Sequence, residues 1–233
     1  MRHPFPSSNP ITAMPLPAVQ TSRPAVLVVG AGRNSRGQGA AGVVAEMREG
    51  EPVLVHTIRR ALASGLPVVV VTTGAFAVAV GKLVATRDVV VLGPAGSPAQ
   101  ADLGEAVAAG VSARTGAAGW LVLPGDMPRV QPDTLRRVAA ELARHPVAYA
   151  QFRGRRGHPI GFGAELFSDL VRLRGDDGAR RLVARYPAQA VDVDDPGVLP
   201  NPESEENLPG WRRARADRVL APPRGASEVP AAK

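Results

Sequence analysis

Short apolar runs rich in valine alternate with longer stretches of helical period along the middle of this chain. The runs predict strands at 25–29, 68–71, 89–92, 120–123, 147–151 and 190–193. Helices are predicted between them, from Pro52 through Ser64 and at 75–86, 100–114, 132–145, 164–173 and 177–186. Pro52 suits a first helical turn, where its missing N–H is not needed. A glycine-rich hairpin region is expected between the fifth strand and the helix at 164. Unbroken valine in the strands implies burial on both faces. That predicts an α/β fold in three layers, a mostly parallel central sheet with helices on both faces. Ligands of such sheets bind beyond the carboxyl ends of the strands.

The chain has 233 residues, 45% of them apolar, enough for one sizeable core. Residues 1–24 hold six prolines and no apolar period, and are expected to be a disordered leader. The domain is expected over 25–208, with a basic tail rich in Pro, Ala and Arg at 209–233. No charged residue lies between Ala61 and Gly81. Gly65, Pro67 and the β-branched Val68–Val71 make this run a buried strand rather than a membrane span, and no signal peptide is read at the start.

Charge and cysteine narrow the chemistry. The formal charge is +7, but residues 25–208 carry 20 basic and 19 acidic residues, so the excess sits in the two ends. Stacking aromatics are scarce, so nucleic acid is not an expected partner. There is no cysteine, which removes disulfides, thiolate metal sites and cysteine nucleophiles. A cytoplasmic location is expected.

Three segments hold candidate chemistry. Gly30-Ala31-Gly32-Arg33-Asn34-Ser35-Arg36 follows the first strand. Its glycines let backbone N–H groups approach phosphate, and Arg33 and Arg36 supply bidentate cations; the other reading is a surface turn. Leu123-Pro124-Gly125-Asp126-Met127-Pro128 follows the fourth predicted strand. Asp126 is a ligand for Mg²⁺ that keeps waters and bridges phosphates, or else a helix cap, for which Asp133 is nearer. The third segment is Arg153-Gly154-Arg155-Arg156-Gly157-His158-Pro159 with Gly175-Asp176-Asp177-Gly178-Ala179-Arg180-Arg181. Its arginines suit an anion, while Asp176 or Asp177 can cap a helix and His158 before a proline can be structural. No Ser-His-Asp order or metal-spaced His pair stands out. A phosphate nucleophile would need no base, only charge compensation.

Together the three segments resemble the molybdenum cofactor cytidylyltransferases, nucleotidyltransferases with a Rossmann-like nucleotide-diphospho-sugar-transferase fold. The likeness spans roughly residues 25–208. The Gly-Asp-Met-Pro segment at 125–128 is shared by several branches; the 154–159 and 175–180 segments favour the pterin branch. The resemblance implies transfer of CMP from CTP to the terminal phosphate of molybdopterin, with release of pyrophosphate. It implies that Gly30, Ala31, Gly32, Arg33 and Arg36 hold the nucleotide, that Asp126 binds Mg²⁺ as the catalytic carboxylate, and that Arg156, His158, Asp176 and Arg180 face the pterin phosphate. A recipient molybdoenzyme is a further implied partner.

The chain also departs from that family. The family's first loop reads Ala-Gly-x-Ser-x-Arg-Met-Gly with a lysine a few residues on. Here Arg36 is kept, while Asn34, Gly37 and Gln38 replace the serine, methionine and glycine. Ala41 stands near the lysine's place, and Lys82 and Lys233 are the only lysines. The serine-bearing stretch before the third helix reads Leu103-Gly104-Glu105-Ala106. A later Asp-x-Asp-Thr-Pro segment, which supplies a second metal carboxylate, is matched to Pro200-Asn201-Pro202-Glu203-Ser204, where Glu203 is out of register. Nucleotide and metal binding are therefore expected to be weaker than pterin binding. Two alternatives follow: a non-catalytic cofactor-binding maturation partner, and a nucleotidyltransferase with another phosphate acceptor.

Overall fold

The computed structural model describes residues 22–31, 47–48, 50–93 and 101–199. The basic tail and almost all of the leader lie outside them, as do Gly32, Arg33, Arg36, Ala41 and Glu203.

In chain order the elements are β1 (Ala25–Val29), β2 (Met47–Arg48), β3 (Glu51–Pro52), α1 (Val53–Ala63), β4 (Val68–Thr73), α2 (Gly74–Gly81), β5 (Val89–Leu92), α3 (Leu103–Ser112), β6 (Gly119–Pro124), α4 (Pro132–Glu141), β7 (Val147–Phe152), β8 (Arg155–Gly163), the four-residue α5 (Phe167–Leu170), α6 (Gly178–Arg185) and β9 (Ala188–Asp192). Short 3₁₀ turns lie at 86–88, 164–166 and 196–198. Seven strands form one sheet in the order β5-β4-β1-β6-β8-β7-β9. Only β8 runs antiparallel to its neighbours. β1 lies between β4 and β6, with Leu27 opposite Val69 on one side and Val122 on the other.

The strand residues alternate between two faces, as a period of two demands. Val26, Val28, Val68 and Val70 pack with Leu54 and Ile58 of α1 and Leu135 and Val138 of α4. Leu27, Val69 and Val71 pack on the opposite face with Val107 and Val111 of α3 and Leu182 and Val183 of α6. The five residues of β1 are 0–5% exposed. Each such Val or Leu contributes about 1.5–3 kcal/mol by burial. α3 comes close because Gly110 has no Cβ to strike Leu27 and Val71.

The chain from 61 to 81 divides into the end of α1, buried β4 and α2. Among the described residues no helix is long and apolar enough to cross a membrane. Two predictions shift. The helix expected at 75–86 stops at Gly81, and that at 164–173 is a 3₁₀ turn plus α5. The glycine-rich hairpin region is a hairpin of β7 and β8, and its second arm is a full interior strand, β8. Gly157, Pro159, Gly161 and Gly163 hide its strand character, because glycine and proline score as breakers. Here the glycines allow close approach: a Cβ on Gly161 would lie 3.2 Å from Leu142, and one on Gly157 would strike Val198 O.

Candidate active site

The carboxyl ends of β1, β4, β6, β7 and β9 share one edge, because these strands are mutually parallel. At that edge the turns after β1 and β6 are joined. Gly125 N donates to Val29 O at 2.8 Å, and Gly30 N donates to Val71 O at 2.7 Å. A Cβ on Gly125 would lie 3.1 Å from Gly30 Cα and 3.0 Å from Val29 O. A Cβ on Gly30 would lie 2.9 Å from Leu54. The turns approach this closely because Gly125 has no Cβ. Thr57 of α1 donates its buried hydroxyl to Gly125 O at 2.8 Å. Met127 and Val130 are 4% and 0% exposed, anchoring the chain beyond the turn. Half-buried Asp126 therefore directly follows the glycine that packs on Gly30, on a fixed turn.

The segment after β9 meets the chain beyond this turn, at the start of α4. Asp195, 3% exposed, accepts from Gln131 N at 2.8 Å and Thr134 Oγ1 at 2.7 Å through Oδ2, and from Gly197 N at 2.9 Å through Oδ1. Gln131 makes no cap of its own. Asp133 is exposed in the first turn of α4 and pairs with Arg136 at 3.1 Å. The cap of α4 thus comes from 61 residues away rather than from the nearer Asp133. Asp192-Val193-Asp194-Asp195-Pro196 keeps the Asp-x-Asp-x-Pro spacing with aspartate in threonine's place, and it sits at the functional edge. That spacing is the signal which reveals Asp194 and Asp195; the 200–204 match lies outside the described residues.

Among the described residues no three His, Cys, Asp or Glu side chains gather to hold a metal. The carboxylates at this edge include half-buried Asp126 and exposed Asp192 and Asp194. One or two carboxylates, waters and substrate phosphates are the usual company of Mg²⁺, so these residues fit such an ion.

Arg156 and His158 lie at the same edge, on the starting half of antiparallel β8. The Arg156 guanidinium covers the Tyr149 ring at 4.3 Å. Burial lowers its pKa, and its Nε has no hydrogen-bond partner among the described residues. His158 keeps some surface, but its Nδ1 is sealed and unpartnered among the described residues. Burial first, then neighbouring Arg156, pushes its pKa down to about 4, against a bond to the Val122 backbone. With Nδ1 unpartnered, that bond is made by Nε2–H to the Val122 carbonyl, and Nδ1 presents a lone pair. At neutral pH His158 is an acceptor and does not neutralise phosphate. Arg156 carries the charge.

Asp176 and Arg180 occupy different ground. Asp176 Oδ1 accepts from Leu103 N at 3.1 Å, and Gly175 O accepts from Gly104 N at 3.2 Å. A Cβ on Gly104 would lie 2.8 Å from the Arg174 backbone, so glycine permits this contact. Asp102 and Glu105 form a capping box at the same helix end. Three carboxylates thus serve the start of α3. A phosphate there would meet like charge, about 4 kcal/mol per pair at 4 Å and an effective dielectric near 20. Arg180 is exposed and pairs with Asp177 at 3.4 Å.

Two hydroxyls escape a sequence reading. Thr72 and Thr73 end β4 beside the β1 turn, and neither Oγ1 has a partner among the described residues, although Thr72 is fully buried. Thr73 is the N-cap residue of α2 but makes no side-chain cap bond. A Thr-Thr-Gly stop after four valines is their sequence signal.

A seven-stranded, mostly parallel sheet with ligand-facing turns at its carboxyl edge is the architecture of nucleotide-diphospho-sugar-transferase-like nucleotidyltransferases. Residues 26–191 match the MobA-like NTP transferase domain, and the chain belongs to that family. Rv0371c from Mycobacterium tuberculosis H37Rv is 28% identical, with a TM-score of 0.60 over 82% of this chain and 96% of that one. Its complex with manganese is 26% identical, with a TM-score of 0.58 over 79% of this chain and 96% of that one. Molybdopterin-guanine dinucleotide biosynthesis protein A from Archaeoglobus fulgidus shares the fold, at 14% identity and a TM-score of 0.50 over 73% of this chain and 84% of that one. Purine catabolism protein PucB of Bacillus subtilis (strain 168) is 34% identical over 116 residues, 48% of this chain. The match spans 56% of that relative's length.

Proposed function

We propose that this protein transfers CMP from CTP to the terminal phosphate of molybdopterin and releases pyrophosphate. The observation that carries this reading is the contact of the Asp126 turn with Gly30. It sets a carboxylate next to Gly30, where the segment proposed to hold the nucleotide through Gly30, Ala31, Gly32, Arg33 and Arg36 begins. An acceptor phosphate oxygen attacks the α-phosphorus in line. The bond from that phosphorus to the β-phosphate bridging oxygen breaks, and pyrophosphate leaves with the electron pair. The nucleophile is already ionised, so no side chain need remove a proton. Positioning and charge compensation supply the catalysis. Asp126 and Asp194 would hold Mg²⁺, which offsets phosphate charge. Rv0371c crystallised with manganese supports the use of a divalent ion. Arg156, stacked and lacking a carboxylate partner among the described residues, is the acceptor-side cation, with Arg180 at the rim. His158, neutral and with Nδ1 sealed, does not meet the acceptor's phosphate, and Asp176 holds α3. The 200–204 segment need not replace the second carboxylate, which Asp194 supplies.

The specific observation favouring a second reading is the start of α3. It is filled by Asp102, Glu105 and Asp176, where the resembled family carries a serine. Together with Ala41 in the lysine's place, this suits a cofactor-binding partner of a molybdoenzyme that binds CTP poorly. Calorimetry with CTP or GTP and Mg²⁺, and separately with molybdopterin cofactor, divides the two. Mg²⁺-dependent CTP affinity supports the transferase. Pterin binding without nucleotide affinity supports the partner. Product with a different phosphate acceptor alone replaces both.

A further inference from the structure

We propose that Asp195 is a positioning residue, which locks the turn bearing Asp126 and the strand end bearing Asp194 into one relation so that both carboxylates meet a divalent cation together. This rests on the metal reading above and adds to it the part that holds the site's shape.

The lock has several ties. Both Asp195 oxygens are engaged by donors on the Asp126 side and on its own turn: Gln131 N, Thr134 Oγ1 and Gly197 N. With both oxygens bonded and the residue 3% exposed, Asp195 is not itself a metal ligand. Asp195 is buried while Asp194, at the bend before it, is exposed. Gly197 lies so close that a Cβ would strike Arg129 O and sit 2.8 Å from Val130 N. Arg137 of α4 donates to Asp192 O at 2.7 Å. Val193 N donates to Gln151 O at 2.9 Å, tying the same segment to β7. Residues 127–131, the continuation of the Asp126 turn, therefore have the 192–197 segment as their far wall. A carboxylate accepts at all three contacts. An amide cannot, because its NH₂ would oppose one of these donors.

The test is Mn²⁺ binding by the full chain without nucleotide, read from the electron paramagnetic resonance of free Mn²⁺, for wild type, Asp126→Asn, Asp195→Asn and Thr134→Val. Amide exchange at 127–131 is followed alongside. Asp195→Asn should weaken Mn²⁺ binding roughly 10- to 100-fold, as loss of an outer-shell partner does. It should also speed exchange at 127–131 while the circular dichroism spectrum is kept. Thr134→Val, which removes one bond and keeps the shape, should give a smaller loss of the same kind and serves if Asp195→Asn does not fold. If Asp126→Asn loses Mn²⁺ while Asp195→Asn and Thr134→Val bind like wild type with only a lower melting temperature, Asp195 is a helix cap and nothing more. If wild type takes up no Mn²⁺, the metal reading fails and this inference goes with it.

Discussion

The Thr57 hydroxyl and the Gly125 carbonyl meet at 2.8 Å, out of reach of water, and this bond ties the Asp126 turn to helix α1. Replacing Thr57 by valine keeps the shape and removes the donor. The carbonyl is left buried and unsatisfied, at a cost of about 1–3 kcal/mol. Thr57→Val is expected to lower the urea midpoint accordingly and to reduce kcat more than it alters the KM for CTP. An unchanged midpoint and kcat would show that the turn needs no such tie.

His158 gives the protein an acid-sensitive stability. Its pKa falls from 6.5 unfolded to about 4 folded, chiefly by burial. The unfolded chain therefore binds more protons between those values, and stability must rise with pH there. The contribution is complete above pH 6.5 and disappears as pH falls toward 4. Its full size is on the order of 3 kcal/mol. His158→Gln should flatten this part of the curve of unfolding free energy against pH. A slope retained in the variant would assign the acid loss to other groups.

Arg156 is expected to serve the acceptor side. Arg156→Ala should raise the acceptor KM at least tenfold and leave the KM for CTP nearly unchanged. Lysine should not restore it, because a point ammonium reproduces neither the stack on Tyr149 nor the fork. Arg180→Ala should act in the same direction but less, since Arg180 is exposed and paired with Asp177. Equal losses for both substrates would mean that the subsites are assigned wrongly.

The sheet was legible because short valine-rich runs mark its strands: 25–29 and 68–71 lie in buried strands, and 89–92 in the partly exposed edge strand β5. β8 was obscured by the glycines and proline that let it pack. The Asp126 turn was legible because a Gly-Asp pair directly follows a buried run. Asp195 was not, since its partners Gln131 and Thr134 are more than sixty residues away and sequence order favours nearer Asp133 as the cap. Asp176 shows the converse. A motif position alone suggests a ligand contact, whereas its carboxylate binds Leu103 N. The hydroxyls of Thr72 and Thr73 attract notice only once their lack of partners is seen.

Turnover of Asp126→Asn tests the central claim most directly. Wild type and variant, each with a circular dichroism spectrum confirming the fold, are incubated with CTP, Mg²⁺ and molybdopterin cofactor, and dinucleotide and pyrophosphate are measured. The account predicts both products from wild type and none above background from Asp126→Asn. Product from the variant at the wild-type rate would contradict it, as would none from wild type beside an active cytidylyltransferase.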